Sequence, residues 1–395
     1  MSDQLPTRLI HHPYVPPEGF EAVQPGVHKA SSVFFADVHA LRTNDWKDKS
    51  AYTYGLHGTP TSFTLEERLA TLEGGQHCVL APSGLSALTL VDMAFLRQGD
   101  ELLIPDNAYG PGKAFAAGEL AAWGIAHRFY DPMDPADLAR HITSATRLVW
   151  FEAPGSVSLE FPDLPALAAV VAQANEGRER PIVRALDNTW GAGIAFNAFD
   201  LGMDVSMQAL TKYPSGGADV LMGSVITRDE NLHRQVLLTH MRLGLGVGAN
   251  DIELVLRGLP SIELRYRAQD AATRQLAQWM QSQPGVSRVL HPALPASPGH
   301  EVWRRDARGA ACLFSAVIDP AIAQDRIDAF CNGLRLFRLG WSWAGPVSLC
   351  APYRMDALRS HGWPHGGGLV RFAVGLEAVD DLQADLAQAL PLLLT

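Results

Sequence analysis

Three features of the chain predict an α/β protein: a mainly parallel sheet flanked by helices in a large unit, preceded by an N-terminal arm and followed by a smaller α+β unit. Short apolar strands alternate with helical periods between residues 59 and 255, and such alternation builds a parallel sheet covered on both faces. From residue 256 the pattern changes to one long amphipathic stretch and then shorter strand and helix signals to residue 395. The composition, 47% hydrophobic and 19% charged, excludes a disordered chain and a coiled coil, and the length provides for more than one packed unit.

Residues 1–58 are dotted with Pro, His and Gly and show little periodicity, which reads as an arm and loops lying on something else. Thr64 and Glu67 have capping-box spacing, opening a helix through Leu65, Leu69 and Leu72 that Gly74-Gly75 stops. A strand at Cys78 to Ala81, a turn at Pro82-Ser83-Gly84 and a helical run from Leu85 to Phe95 come next. The apolar stretch Cys78 to Leu96 is long enough to raise a membrane span, but Pro82, Ser83, Gly84, Ser86 and Asp92 interrupt it. Further strands are read at 101–104, 125–130, 147–151, 182–186, 205–210 and 223–227, with a helix at Leu164 to Ala174 and a surface turn at Asn175 to Arg180. Beyond residue 256, Leu259 to Met280 is the long amphipathic stretch, and His300 to Arg308 falls in a loop. Ligands of parallel sheets bind at the carboxyl ends of the strands, so the loops after the strands are where chemistry is expected.

The charge balance narrows the function classes. Lys plus Arg is 32 against 42 Asp plus Glu, a net charge of −10 with no basic stripe, which argues against nucleic acid. Cys78, Cys312, Cys331 and Cys350 are far apart without a C-x-x-C pair, so neither a metal site nor a disulfide framework is expected and a reducing cytoplasm is the natural home. The first residues lack the apolar core of a signal peptide, so neither export nor a membrane is expected.

Only five residues are lysine, and Lys212 ends the run Val205 to Thr211 where a buried strand opens into the crevice. A lysine in a dry site becomes a nucleophilic amine suited to a Schiff base; one that snorkels out of a strand end is the plainer alternative. Asp187 closes a neighbouring strand in Leu-Asp-Asn-Thr-Trp, where it can pair with a pyridinium nitrogen or simply cap a helix. Ser83-Gly84-Leu85 puts backbone N–H groups at a helix start, suited to a phosphate or to an ordinary cap. Tyr109, after another strand, can stack on a flat ring or serve the core.

Together and in this order these pieces resemble the pyridoxal-phosphate enzymes of cysteine and methionine metabolism, of fold type I. The resemblance covers nearly the whole chain: Tyr-Gly-x-x-Gly-Thr-x-Thr at 54–61, Leu-Glu-Gly-Gly at 72–75, Asp-Asn-Thr-Trp at 187–190, Thr-Lys-Tyr at 211–213, His-Pro-Ala-Leu-Pro at 291–295, Ser-Trp at 342–343 and Arg-Phe-Ala-Val-Gly-Leu-Glu at 371–377. It implies that Lys212 holds pyridoxal 5'-phosphate, that Asp187 pairs with the ring nitrogen, that Tyr109 stacks on the ring, and that Gly84, Leu85 and Thr211 hold the phosphate. It also implies that Tyr54 reaches the phosphate of a neighbouring subunit, so that the arm 1–58 serves a homodimer, usually within a tetramer. Arg371 would take the substrate's α-carboxylate, with Trp341, Ser342 and Trp343 beside it, and Lys212 or Tyr109 would assist the leaving sulfur.

The departures from the family pattern carry information. Leu56 stands where an inter-subunit phosphate arginine is usual, with His57 the nearest substitute in sequence; Ala209 replaces a serine, Gly216-Gly217-Ala218-Asp219 replaces Gly-His-Ser-Asp, and Ala344 to Ser348 lacks an expected carboxylate. Pro154-Gly155-Ser156 and Trp341 resemble the β-lyase branch, which implies cleavage of L-cystathionine to homocysteine, pyruvate and ammonia. The alternatives are γ-elimination or γ-replacement on homoserine-type substrates, as in γ-lyases, γ-synthases and O-acylhomoserine sulfhydrylases, or a low-turnover regulator that binds the cofactor.

Overall fold

The computed structural model describes residues 4–11, 13–15, 17–355, 358–360 and 362–394. Seven strands form the large sheet: β1 (His77–Ala81), β2 (Glu101–Pro105), β3 (Ala126–Tyr130), β4 (Thr146–Glu152), β5 (Val183–Asp187), β6 (Val205–Ala209) and β7 (Gly223–Thr227). Their order across the sheet is β1-β7-β6-β5-β4-β2-β3. Neighbours from β6 to β3 pair in parallel, while β7 is antiparallel to both β1 and β6. The carboxyl ends of β1, β2, β4, β5 and β6 therefore meet at one edge, where a parallel sheet leaves its crevice.

The arm contains two short helices, α1 (Leu5–Ile10) and α2 (Val38–Thr43), and is less extended than its composition predicts. The next helix, α3 (Pro60–Glu73), starts before the expected capping box. Its box is formed by Thr59 and Ser62, with Pro60 in the first turn, where a missing N–H costs nothing; Thr64 instead bonds back to the Pro60 carbonyl at 2.7 Å. Gly74 then closes the helix at φ +68°, a conformation that favours glycine. Glu73, at the end of α3, is buried and accepts from Asn188 at 2.9 Å, from Gln208 at 2.6 Å and from the Ser206 hydroxyl. This neutral cage lashes the helix to β6 and to the residue that follows β5, and it satisfies a carboxyl that would otherwise be costly to bury. The stretch from residue 78 to 96 is a strand, a turn and α4 (Gly84–Phe95); no helix among the described residues is long and apolar enough to cross a membrane.

The second sheet contains β8 (Val286–Leu290), β9 (Leu313–Ile318), β10 (Arg338–Leu339), β11 (Leu349–Tyr353) and β12 (Leu369–Ala373), in the order β10-β11-β12-β9-β8. The expected helix at its start is a single turn at Leu259–Ser261 running into Ile262–Met280, and the segment read as a loop contains the helix His300–Asp306. Period-2 alternation divides β12 cleanly. Val370 and Phe372 pack with Phe314, Phe330 and Leu386 under the small unit's helices, whereas Leu369 and Ala373 join the core shared with Phe161 and Trp190 of the large unit. Arg371 lies between the latter two and so faces the large unit.

The units are also tied by charge. Arg359, beyond β11, bonds Asp106 at 2.9 Å and Glu160 at 2.8 Å, the Ser360 N–H reaches Asp106 at 2.9 Å, and Lys113 donates to the Leu358 carbonyl at 2.9 Å. All four cysteines are buried: Cys78 and Cys312 in cores of the large unit and its boundary, Cys331 and Cys350 under the small sheet.

Candidate active site

Two adjoining cavities open at the carboxyl edge of the large sheet. One, of about 190 Å³, is lined by Ser83, Gly84, Leu85, Asp187, Ala209, Thr211 and Lys212. The other, of about 780 Å³, is lined by Tyr109, Lys113, Trp341, Tyr353 and Arg371, and the two share Tyr109, Ser156, Lys212 and Trp343. Each sheet loop delivers one group: α4's first residues after β1, Tyr109 after β2, Ser156 after β4, Asp187 at the end of β5, Lys212 after β6.

The inner cavity has the features of a cradle for a flat phosphorylated ring. Ser83 caps α4 by accepting from the Ser86 N–H at 3.0 Å, which leaves the earlier Gly84 and Leu85 N–H groups, ahead of any intrahelical bond, turned to the cavity. A Cβ on Gly84 would stand 2.5 Å from the Ala209 Cβ, so glycine lets the helix start sit directly against the end of β6. Ala209, in place of the usual serine, is thus part of that contact. The Thr211 hydroxyl is spanned by Met222, accepting from its N–H at 3.3 Å and donating to its carbonyl at 3.4 Å; both bonds are long and leave the hydroxyl able to turn to an anion.

Lys212 is half-buried, its Nζ 5.8 Å from the centre of the Trp343 ring. Burial lowers its pKa and the Arg371 charge adds to this, with Asp187 opposing, so the amine is held toward the neutral, nucleophilic form. Asp187 accepts the Thr189 N–H at 3.0 Å and its hydroxyl at 2.5 Å; burial raises its pKa while the two Thr189 bonds hold it back. Tyr109 has its phenol raised by burial and then by Asp187 and Glu152, so it keeps its proton. Arg371, 6% exposed, donates to the Ser156 carbonyl at 3.2 Å and the Trp341 carbonyl at 3.1 Å, and lies over Tyr353 at 5.3 Å. A guanidinium so buried without a carboxylate partner in these bonds is poised for an incoming one. Trp341 is 73% exposed at the mouth, and Ser342 lies half-buried between it and Trp343.

The expected residues Gly84, Leu85, Tyr109, Asp187, Thr211, Lys212, Trp341, Trp343 and Arg371 thus share one cleft. Tyr54 does not join them in the single chain: it is 47% exposed and lines a separate cavity under the arm with Leu56 and His57. His57 is engaged there, bonded to Thr53 at 2.8 Å and stacked on Trp46 at 4.5 Å. Ser348, at the end of the segment 344–348, is held by Glu377, which accepts its N–H at 2.7 Å and its hydroxyl at 2.8 Å. Glu152 and Lys113 were missed in the sequence; Glu152 closes a strand as Asp187 does, and that terminal carboxyl was the available signal.

The chain is similar to known proteins over nearly its whole length. A profile of the Cys/Met metabolism PLP-dependent enzyme family matches residues 6–391. The chain is 37% identical to a cystathionine beta-lyase of Bordetella avium, covering 98% of this chain and 97% of that one. It is 35% identical to the cystathionine beta-lyase of Escherichia coli K12, covering 98% of each. A crystal structure of cystathionine gamma synthase from Xanthomonas oryzae pv. oryzae in complex with cystathionine superposes with a TM-score of 0.84 at 29% identity, covering 94% of this chain and 93% of that one.

Proposed function

The chain belongs to the Cys/Met metabolism PLP-dependent enzyme family, and we propose that within it the protein is a carbon–sulfur β-lyase that cleaves L-cystathionine to homocysteine, pyruvate and ammonia. What supports the reading is the placement of Lys212 between a carboxyl suited to a ring nitrogen and a guanidinium suited to an amino-acid carboxylate. The choice of β- over γ-elimination follows the relatives' names and Trp341 at the mouth.

When bound, pyridoxal phosphate supplies an electron sink and an aldehyde carbon that amines can bond. In this reading Lys212 holds it, Asp187 faces its ring nitrogen, Tyr109 covers the ring, and Gly84, Leu85 and Thr211 bind the phosphate. Arg371 binds the substrate's α-carboxylate, with Trp341, Ser342 and Trp343 closing round it. The Lys212 Nζ, held toward the neutral amine, is the base for the proton on the substrate's Cα. Tyr109 retains its phenolic proton and is placed to return one to the leaving sulfur.

We place the working unit in the cytoplasm as a homo-oligomer, a dimer at least, usually a tetramer in this family. The exposure of Tyr54, and of Phe20 and Phe34 on the arm, supports a neighbouring chain there, and sedimentation of the holoenzyme reads the number of chains. The test of the chemistry is the keto acid formed from L-cystathionine. Pyruvate with homocysteine is expected; 2-oxobutyrate with cysteine would make the protein a γ-lyase, and cofactor binding without turnover would make it a regulator. Borohydride should fix the cofactor to the Lys212 peptide, and fixation on another lysine would overturn the site.

A further inference from the structure

Glu152 lines the inner cavity and has no role in the chemistry above. It ends β4, and its register partner across the parallel pair is Asp187, so two carboxyls lie side by side on strands about 4.8 Å apart. Its Oε2 accepts the Tyr109 N–H at 2.8 Å, and its carboxyl also meets the Ser156 hydroxyl. The Ser156 carbonyl in turn holds Arg371. One side chain therefore links the ring-covering tyrosine, the loop after β4 and the carboxylate-binding arginine.

Two carboxylates this close in a cleft of low dielectric do not both ionise cheaply. Each accepts one N–H and one O–H, so what else each faces decides which keeps the charge. Asp187 takes an N–H and an O–H from Thr189 and faces the Lys212 amine. The groups facing Glu152 are Asp187 from β5, Tyr109 and Lys113 from the segment after β2, Tyr130 from β3 and Arg371 from β12; of the cations, Lys113 donates to the Asp106 and Leu358 carbonyls, and its pull on Glu152 is outweighed by burial and by Asp187. We propose that Glu152 is a positioning residue that stands in the cleft as the neutral acid, fixing Tyr109 and Ser156 and leaving Asp187 as the charged member of the pair. The directions agree: burial first, and then Asp187, push the Glu152 carboxyl well above its ordinary range.

The inference rests on the cofactor placement proposed above, and its test separates the two. Infrared difference spectra of the holoenzyme at neutral pH, wild type minus E152Q, should contain the carbonyl stretch of a protonated carboxyl. A carboxylate signature in its place overturns the proposal, even if E152A fails to fold. In cofactor retention, E152Q, whose amide oxygen still accepts the Tyr109 N–H, should stay within about threefold of wild type, while E152A should lose about tenfold or more, the scale of one lost buried hydrogen bond. Circular dichroism of the bound cofactor should follow the same order, because the tyrosine over the ring loses its tether only in E152A. Equal damage in both variants would mean that charge is required, and no damage in either would remove Glu152 as a positioning residue. Borohydride fixation away from Lys212 would sink the cofactor placement while leaving the infrared result as it stands.

Discussion

At the residue scale, the cleft works by keeping charges short of partners. Arg371 lies in a dry place with two carbonyls on its guanidinium among the described residues, and in the proposed reading an α-carboxylate completes it. Truncating a buried charged pair typically removes about 2 to 5 kcal/mol. Arg371→Leu should therefore lower kcat/KM by that order, leaving the absorbance of the Lys212-bound cofactor in place; near-normal kinetics would take Arg371 out of the site. Lys212 shows the complementary effect, since the same guanidinium that attracts the substrate's carboxylate helps hold the lysine toward its neutral form. Substrate binding cancels part of that charge just when the amine has to accept a proton.

At the element scale, the junction of α4 with β6 sets the shape of the inner cavity. Gly84 has no room for a Cβ against Ala209, and because the obstacle is itself a Cβ close to the backbone, the helix start would have to move. Gly84→Ala should destabilise the fold by about 1 to 3 kcal/mol, as overpacked sites do, and should weaken phosphate retention; urea unfolding and dialysis against a carbonyl scavenger measure the two, and an unchanged midpoint with unchanged retention would show that the junction yields freely. This part of the molecule was legible from sequence, because a strand, a Ser-Gly turn and an apolar helix are local signals. The start of α3 was less so: Thr59 and Thr64 both offer capping chemistry, and Pro60 decides between them by fitting only the first turn. The helix His300–Asp306 is only seven residues long, too short for its period to show. The pairing of Glu152 with Asp187 was hidden for a different reason, since it needs the knowledge that β4 and β5 are neighbours. Lys113 and Leu358, 245 residues apart, meet only because the two units dock.

At the scale of the whole molecule, that docking has a titratable seam. Burial alone would raise the Asp106 carboxyl, but the Ser360 hydroxyl and N–H, Arg359 and Lys113 outweigh it and hold the group well below its ordinary value. A depressed carboxyl contributes stability that is fully present above its unfolded value, near 3.8, and is lost as pH falls below that toward the folded value. Asp106→Asn should accordingly flatten the acid limb of the stability curve below about pH 4 and weaken the seam at neutral pH; calorimetry should then show the two units melting less cooperatively, and an acid limb identical to wild type would exclude Asp106 as its source. The cysteines divide along the same seam. With every thiol sealed in a core, the folded surface presents no thiol of its own to an oxidant or to a mixed disulfide. Each thiol becomes reactive only when its own core opens, so the order in which an alkylating reagent marks Cys331 and Cys350 against Cys78 and Cys312 amounts to a chronicle of which half of the molecule comes apart first.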